Sequence, residues 1–361
     1  SDTLAQMVSE LSALHIFVYG GDQRRGTDDI GNGSLGCRLE RDQAAGGYRV
    51  SHIYRSDPDR PETLAPLSRL GVDMQEGDVI LAINGVDTLS VPDCQSLLRN
   101  RAGKQVLLRV RPQSSEPRDV IVTPITLQQE ANLRYDEWEY TRRQKVDELS
   151  GKRIGYVHLR AMGSGNMAEW AREFYPVFNR EALIVDVRHN RGGNIDSWVL
   201  EKLLRKAWFY WQPRVGNPTW NMQYAFRGPM ITICNEFTAS DGEAFSEGFR
   251  RLGLGKLLGT RTWGGEIWLS SSNVLVDHGI ATAAEMGVFG PEGQWLIEGH
   301  GVDPDIYVDN LPRATFDGAD AQLESAVKYL LDELKRNPVP TPKAPLYPKN
   351  PNPAPSRKRI S

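Results

Sequence analysis

Met230-Ile231-Thr232-Ile233-Cys234 runs through Asn235-Glu236-Phe237-Thr238-Ala239-Ser240-Asp241-Gly242-Glu243 into a helical pattern that continues over 244–252. An unbroken apolar strand is the mark of a parallel sheet buried on both faces. Ser240 then falls at a strand-to-helix turn. Such turns lie at the carboxyl edge of the sheet, where α/β folds bind ligands, and in the positive field of a helix N-terminus. A serine there is a candidate nucleophile. Ser240-x-x-Glu243 also reads as a capping box, in which the serine only accepts N–H groups of its own helix.

Working outward, strands at 154–159, 182–187, 230–235 and 256–259 alternate with helices at 166–179, 195–206 and 242–252. This order predicts an α/β domain with a largely parallel sheet covered on both faces. The strand 182–187 ends in Arg188-His189-Asn190-Arg191-Gly192-Gly193-Asn194, where the glycine pair frees backbone N–H groups to point outward. N–H groups of Gly193 and Asp241 are therefore candidates for an oxyanion hole, usually a large contribution to acyl transfer. A phosphate-binding turn is the rival reading of the glycines, but a Walker lysine and a full GxGxxG are missing. A nucleophilic serine needs a base. By chemistry alone His15 and His189 are both admissible, while His52, His158, His278 and His300 read as surface or satisfied core histidines. Glu298, in the turn Glu298-Gly299-His300-Gly301, is a candidate orienting carboxylate.

Toward the N-terminus, Leu4, Met7, Val8, Leu11 and Leu14 recur at helical spacing, with His15 just past the helix end. A glycine-rich linker is expected over 20–33. Short strands follow at 35–39, 48–54, 78–83, 106–110, 120–122 and 125–127, with a helix over 91–99. With Ser34-Leu35-Gly36-Cys37 before the first strand and the run Gly77-Asp78-Val79-Ile80-Leu81-Ala82-Ile83-Asn84-Gly85, this small, partly open β-barrel resembles a PDZ domain. In such a domain an extended peptide adds a strand at the open edge and loop N–H groups receive its carboxylate. Ser34, Leu35, Gly36 and Cys37 are the candidate loop; the alternative is a groove filled by the chain itself. Residues 128–150 read as a charged connector, with a solvated face, that packs on the following domain. The proline-rich tail 337–361 reads as extended.

The 361 residues carry 43 Lys+Arg against 46 Asp+Glu, a net charge of −3, and are 40% hydrophobic. That is globular composition with no basic footprint for nucleic acid. Cys37, Cys94 and Cys234 form no CxxC pair or Cys/His cluster, so neither a disulfide framework nor a metal site is expected. No apolar run approaches a membrane span, and the first twenty residues do not read as a signal peptide. The chain begins with Ser1 and reads as a processed or excised piece.

Four stretches occur in the order of a peptidase family: 182–194, 238–249, Gly259-Thr260-Arg261-Thr262-Trp263-Gly264-Gly265, and Glu298-Gly299-His300-Gly301-Val302-Asp303-Pro304-Asp305. Together they resemble the protease half of the tricorn proteases, relatives of the C-terminal processing peptidases. The resemblance implies a crotonase/ClpP-like αβα catalytic domain with an inserted PDZ-like domain. It divides the chain into a remnant of a first catalytic subdomain (1–27), the PDZ-like domain (28–127), a second catalytic subdomain (128–336) and the tail (337–361). It also implies Ser240 as nucleophile, His15 as base, Gly193 and Asp241 as oxyanion donors and Glu298 as distal carboxylate. The Ser/Lys branch carries its lysine where this chain has Gly265, so the histidine branch fits better. One departure is Leu14, where the family has a serine bridging histidine and glutamate. Leucine makes no hydrogen bond, so Glu298 reaches His15 directly or through water, Ser12 substitutes, or activity is weak.

The resulting expectation is a serine endopeptidase acting on oligopeptides or unfolded polypeptides through an acyl-enzyme, without metal or organic cofactor and without nucleic-acid or membrane partners. The resemblance adds a cytoplasmic homohexamer and upstream propeller domains of the same protein. Two rivals remain: a peptide-binding scaffold with a degenerate catalytic half, for which Leu14 speaks, and an acyl-CoA enzyme, which leaves the PDZ-like module unexplained.

Overall fold

A computed structural model describes residues 17–22, 30–113, 115–270 and 274–346, together with Thr3, Gln6, Met7 and Glu10. The expected N-terminal helix falls almost wholly outside the described residues; Thr3, Gln6 and Met7 are helical. Ser12, Leu14 and His15 lie outside them.

The chain divides into two compact units, one built from 17–22, 30–148 and 270–283, the other from 149–269 and 284–346. In the second, five parallel strands run in the order Ile154–His158, Ala182–Asp186, Met230–Cys234, Gly255–Gly259 and Ile306–Tyr307. Every residue of the first three strands is buried, the polar His158, Asp186 and Thr232 included, as strands covered on both faces require. Helices Asn166–Phe174, Asp196–Leu204 and Asp241–Arg251 cover one face, contributing Trp170, Phe174, Val199, Leu203, Phe245 and Phe249 to a core shared with Val157, Val185 and Leu257. Helix Ala321–Arg336 packs on the same central strands. Strand alternation leaves Ile184, Ile231, Ile233 and Leu258 to meet its buried Leu323, Val327 and Leu330. The result is a three-layer αβα sandwich, the α/β class expected from the pattern.

The last strand and the C-terminal helices, Pro312–Phe316 and Ala321–Arg336, were not foreseen. The helix is tied to the sheet by Arg188, which is 2% exposed and pairs with Asp186 at 2.7 Å and with the helix-capping Asp320 at 2.9 Å.

In the first unit an antiparallel sheet runs Cys37–Asp42, Gly47–Ile53, Val79–Ile83, Val106–Arg111 and Arg118–Val122, and Gly33–Ser34 pairs separately with Ile125–Thr126. Three expectations shift. The first strand begins at Cys37, because Gly36 turns at φ +69° and divides it from Gly33–Ser34. The helix expected over 91–99 is a five-residue 3₁₀ turn, Cys94–Leu98, opened by the Asp93 carboxylate on the Gln95 N–H. The connector is one helix of 24 residues, Leu127–Ser150, and its part up to Glu148 belongs to this unit. Its apolar pattern is too weak to announce it; Leu133 packs in the core, and charged contacts add to its hold, with His52 Nε2 2.8 Å from Glu137 and Arg143 paired with Asp57. A short strand, Val18–Gly20, ends where the expected linker begins and pairs with Gly279–Ala281.

Candidate active site

Two loops leave the carboxyl ends of adjacent strands and meet. From Ala182–Asp186 the chain passes through Arg188 to the Gly192-Gly193 pair; from Met230–Cys234 it passes through Asn235 to Ser240. Asn190 is fully buried and joins them. Its carbonyl oxygen Oδ1 accepts the Gly192 N–H at 2.8 Å, its Nδ2 donates to the Leu159 carbonyl at 2.7 Å, and its backbone carbonyl accepts the Ala239 N–H at 2.9 Å. Asn235 and Thr238 brace the second loop: the Thr238 hydroxyl donates to the Val187 carbonyl at 2.8 Å and accepts the Asn235 N–H at 3.0 Å.

Ser240 stands at φ +53°, ψ −129°, a backbone conformation that side-chain-bearing residues avoid. Its N–H is held by Glu243 Oε2 at 3.1 Å. Glu243 is completely buried and does more than cap its helix: Oε1 accepts the Thr262 hydroxyl and the Gly264 N–H at 2.7 Å, and Oε2 accepts the Gly265 N–H at 2.8 Å. One carboxylate thus locks Ser240 to the Gly-rich loop 259–265.

The glycine pair is required by space. A Cβ on Gly192 would lie 2.5 Å from Ser240 Cβ, 2.8 Å from Ser240 Oγ and 3.1 Å from the Asp241 nitrogen. A Cβ on Gly193 would lie 1.9 Å from the Met162 carbonyl. Among the described residues neither the Gly193 nor the Asp241 N–H donates a hydrogen bond. The Asp241 carboxylate, by contrast, accepts the N–H groups of Ile195 and Asp196, each at 2.9 Å, and so caps the helix that follows the glycine loop. Burial and the neighbouring Asp196 carboxylate push Asp241 up to about 7.

Glu298 Oε2 accepts the N–H groups of Glu266 and Ile267 at 2.7 and 3.0 Å, and its Oε1 accepts no hydrogen bond among the described residues. Glu266 is 6% exposed, with Oε2 buried and unpartnered there; burial, then the charges of Asp241 and Glu243, push it up to about 9. His189 stacks on Phe237 at 5.4 Å, its Nε2 lies 3.5 Å from Asn235 Nδ2, and burial lowers its pKa. His300 pairs with Asp303 in the open, and His52 sits in the first unit between Glu76 and Glu137. The roles of Asn190 and Glu266 escaped the sequence reading, since nothing in the chain order joins Asn190 to the Ser240 loop or sets Glu266 near Asp241 and Glu243; Glu243 was visible only as a capping residue.

The expected carboxylate loop of the first unit is closed. Ser34, Leu35 and Gly36 are buried, and Cys37 is half-buried. The Gly36 N–H is spent on Ser34 Oγ at 2.9 Å, and a Cβ on Gly36 would lie 2.6 Å from Pro66 and 3.1 Å from Leu133 of the long helix. Burial and the nearby Glu130 push the Cys37 thiol up. The chain's own long helix thus packs against the Gly36 side of this candidate loop.

Among the described residues no group of His, Cys, Asp and Glu has metal-site geometry, and no helix is long and apolar enough to cross a membrane.

Residues 153–308 match the model of Peptidase family S41, and residues 33–126 that of the Tricorn protease PDZ domain. Tricorn protease homolog 1 of Streptomyces coelicolor is 37% identical over 94% of this chain and 32% of its own length. Tricorn protease of Thermoplasma acidophilum is 31% identical over 93% of this chain and 31% of its own. The crystal structure of the tricorn protease superposes with a TM-score of 0.83 at 30% identity, covering 92% of this chain and 32% of that one. The chain therefore spans about a third of the length of these relatives.

Proposed function

We propose, from the premise that this chain belongs to peptidase family S41 and carries a tricorn protease PDZ domain, that it is a serine peptidase with Ser240 as its nucleophile. The observation that carries the reading is the backbone of Ser240. A non-glycine residue is held at φ +53° on the first turn of a helix, with its N–H pinned by a buried carboxylate and its Oγ over a glycine. Strain of this kind persists only where the surroundings over-determine it, and it presents a hydroxyl at the sheet edge.

In the proposed reaction His15 takes the Ser240 proton as Oγ attacks the scissile carbonyl carbon. The carbonyl electron pair moves onto oxygen, which the N–H groups of Gly193 and Asp241 receive. Collapse breaks the C–N bond, and His15 returns its proton to the leaving amine. Water, deprotonated by His15, then hydrolyses the acyl-enzyme. That the Gly193 and Asp241 N–H groups donate no hydrogen bond among the described residues supports the oxyanion role, and Glu298, held through Oε2 with Oε1 accepting none among those residues, supports its role as the distal carboxylate. Peptides or unfolded chains as substrates, a homohexamer, upstream propellers and a cytoplasmic setting complete the proposal by resemblance.

A fluorophosphonate probe followed by peptide mapping tests it. An adduct on Ser240, lost in Ser240→Ala, is expected. A folded chain that binds peptides yet takes no adduct would instead favour the scaffold reading that Leu14 motivates.

A further inference from the structure

Helices Asp196–Leu204 and Asp241–Arg251 end on a common cavity of about 410 Å³ at the amino edge of the parallel sheet. Ser240 stands at the other end of the second helix, about 16 Å away at 1.5 Å per residue. The cavity has the size of a small-molecule site, ~300–1,000 Å³. Leu203, Phe226, Met230 and Leu254 give it apolar walls, Arg205, Lys206 and Arg227 line it, and no acidic residue does.

The cations are incompletely answered. Arg205 Nη2 pairs with Glu201 at 3.2 Å, but its Nε is buried without a hydrogen-bond partner among the described residues. No carboxylate lines the cavity beside Lys206 and Arg227 among the described residues. Arg227 is stacked 3.9 Å over the Trp220 ring and donates to the Pro340 carbonyl at 3.3 Å, so that Val339 and Pro340 become part of the wall. The tail is thus a built component of the cavity. Helix Asp196–Leu204 ends at the cavity with Leu203 and Leu204 in its lining, and the last carbonyls of a helix have no partners within it.

We propose that this cavity binds the free C-terminal carboxylate of a short apolar peptide. A carboxylate matches the guanidinium fork and the ammonium, the side chains fill the apolar walls, and the peptide N–H groups meet the helix-end carbonyls. The proposal stands on this cavity alone and is independent of Ser240.

The test is calorimetric titration of the full chain carrying Ser240→Ala, which prevents turnover, with N-acetyl-trileucine as free acid and as C-terminal amide. The acid is expected to bind at least tenfold more tightly than the amide. Lys206→Glu, at an exposed position, and Arg227→Gln are each expected to weaken the acid at least tenfold, with the thermal midpoint of Lys206→Glu unchanged. Equal affinity of acid and amide, or indifference to both substitutions, would overturn the proposal. Decanoate binding as tightly as the peptide acid would reassign the cavity to acyl chains, and inorganic phosphate competing equally would reduce it to a bare anion site; either result also overturns it.

Discussion

Glu243 Oε2 accepts the Ser240 N–H at 3.1 Å while the same carboxylate collects the N–H groups of Gly264 and Gly265 and the Thr262 hydroxyl. The orientation of the candidate nucleophile is therefore set three residues downstream, by a side chain that need not touch substrate. Glu243→Gln keeps the size but replaces one acceptor oxygen by a donor facing N–H groups. A misplacement of about 1 Å costs about 10²-fold in rate. We expect kcat to fall about that far with KM little changed, and fluorophosphonate labelling to slow in parallel. A loss confined to thermal stability, with kcat intact, would show the carboxylate to be only a cap.

Gly192→Ala places a methyl 2.5 Å from Ser240 Cβ, at a φ of +80° that L-residues rarely adopt. Either the glycine loop or the Ser240 turn has to move. Overpacking costs about 1–3 kcal/mol, and loss of one oxyanion donor about 10²–10³ in kcat. The expected protein folds, melts lower and loses at least 10²-fold in peptide hydrolysis; retained kcat would mean that the two turns are not coupled.

Glu266 gives the fold a pH dependence of defined sign. Burial raises its folded pKa to about 9 from an ordinary 4.5, so between those values the native state holds a proton that the unfolded chain releases. This contribution to stability is complete below about 4.5, declines as pH rises, and is lost above about 9. Glu266→Gln is uncharged at every pH. Urea titrations from pH 5 to 9 should show the variant gaining on the native chain with a limiting slope of about 1.4 kcal/mol per pH unit. Parallel profiles would mean that Glu266 is ionised in the folded protein.

The closed loop of the first unit has its own consequence. Because Leu133 is 7% exposed and packs in that core, Leu133→Ala should destabilise the unit by about 2–5 kcal/mol, read from chemical denaturation. Peptides with a free C-terminus should leave the Gly36 amide resonance unshifted in the native chain. A saturable shift at Gly36 would show that the helix gives way to ligand.

The parts legible in the chain order were those with a local signature. The unbroken apolar runs at 154–158, 182–186 and 230–234 announced a parallel sheet because both faces of each strand are covered. Ser240 and the Gly192-Gly193 pair stood out because turn chemistry is written in adjacent residues. The long helix Leu127–Ser150 did not stand out: its charged side chains are answered by His52 and Asp57, more than eighty positions away. The helix residue packed beside the candidate carboxylate loop, Leu133, was hidden for the same reason: it comes almost a hundred positions after Gly36.

By itself the sequence determined the α/β class, the small β-unit, the family resemblance and the turn that carries Ser240, because periodicity and turn residues act over a few positions. Tertiary structure decided which groups surround that serine. Asn190, Gly192 and Glu243 come together at its turn only when parallel strands set their carboxyl ends side by side. Whether a buried carboxylate is a cap, an anchor or a proton holder then depends on the hydrogen bonds and charges that burial leaves around it.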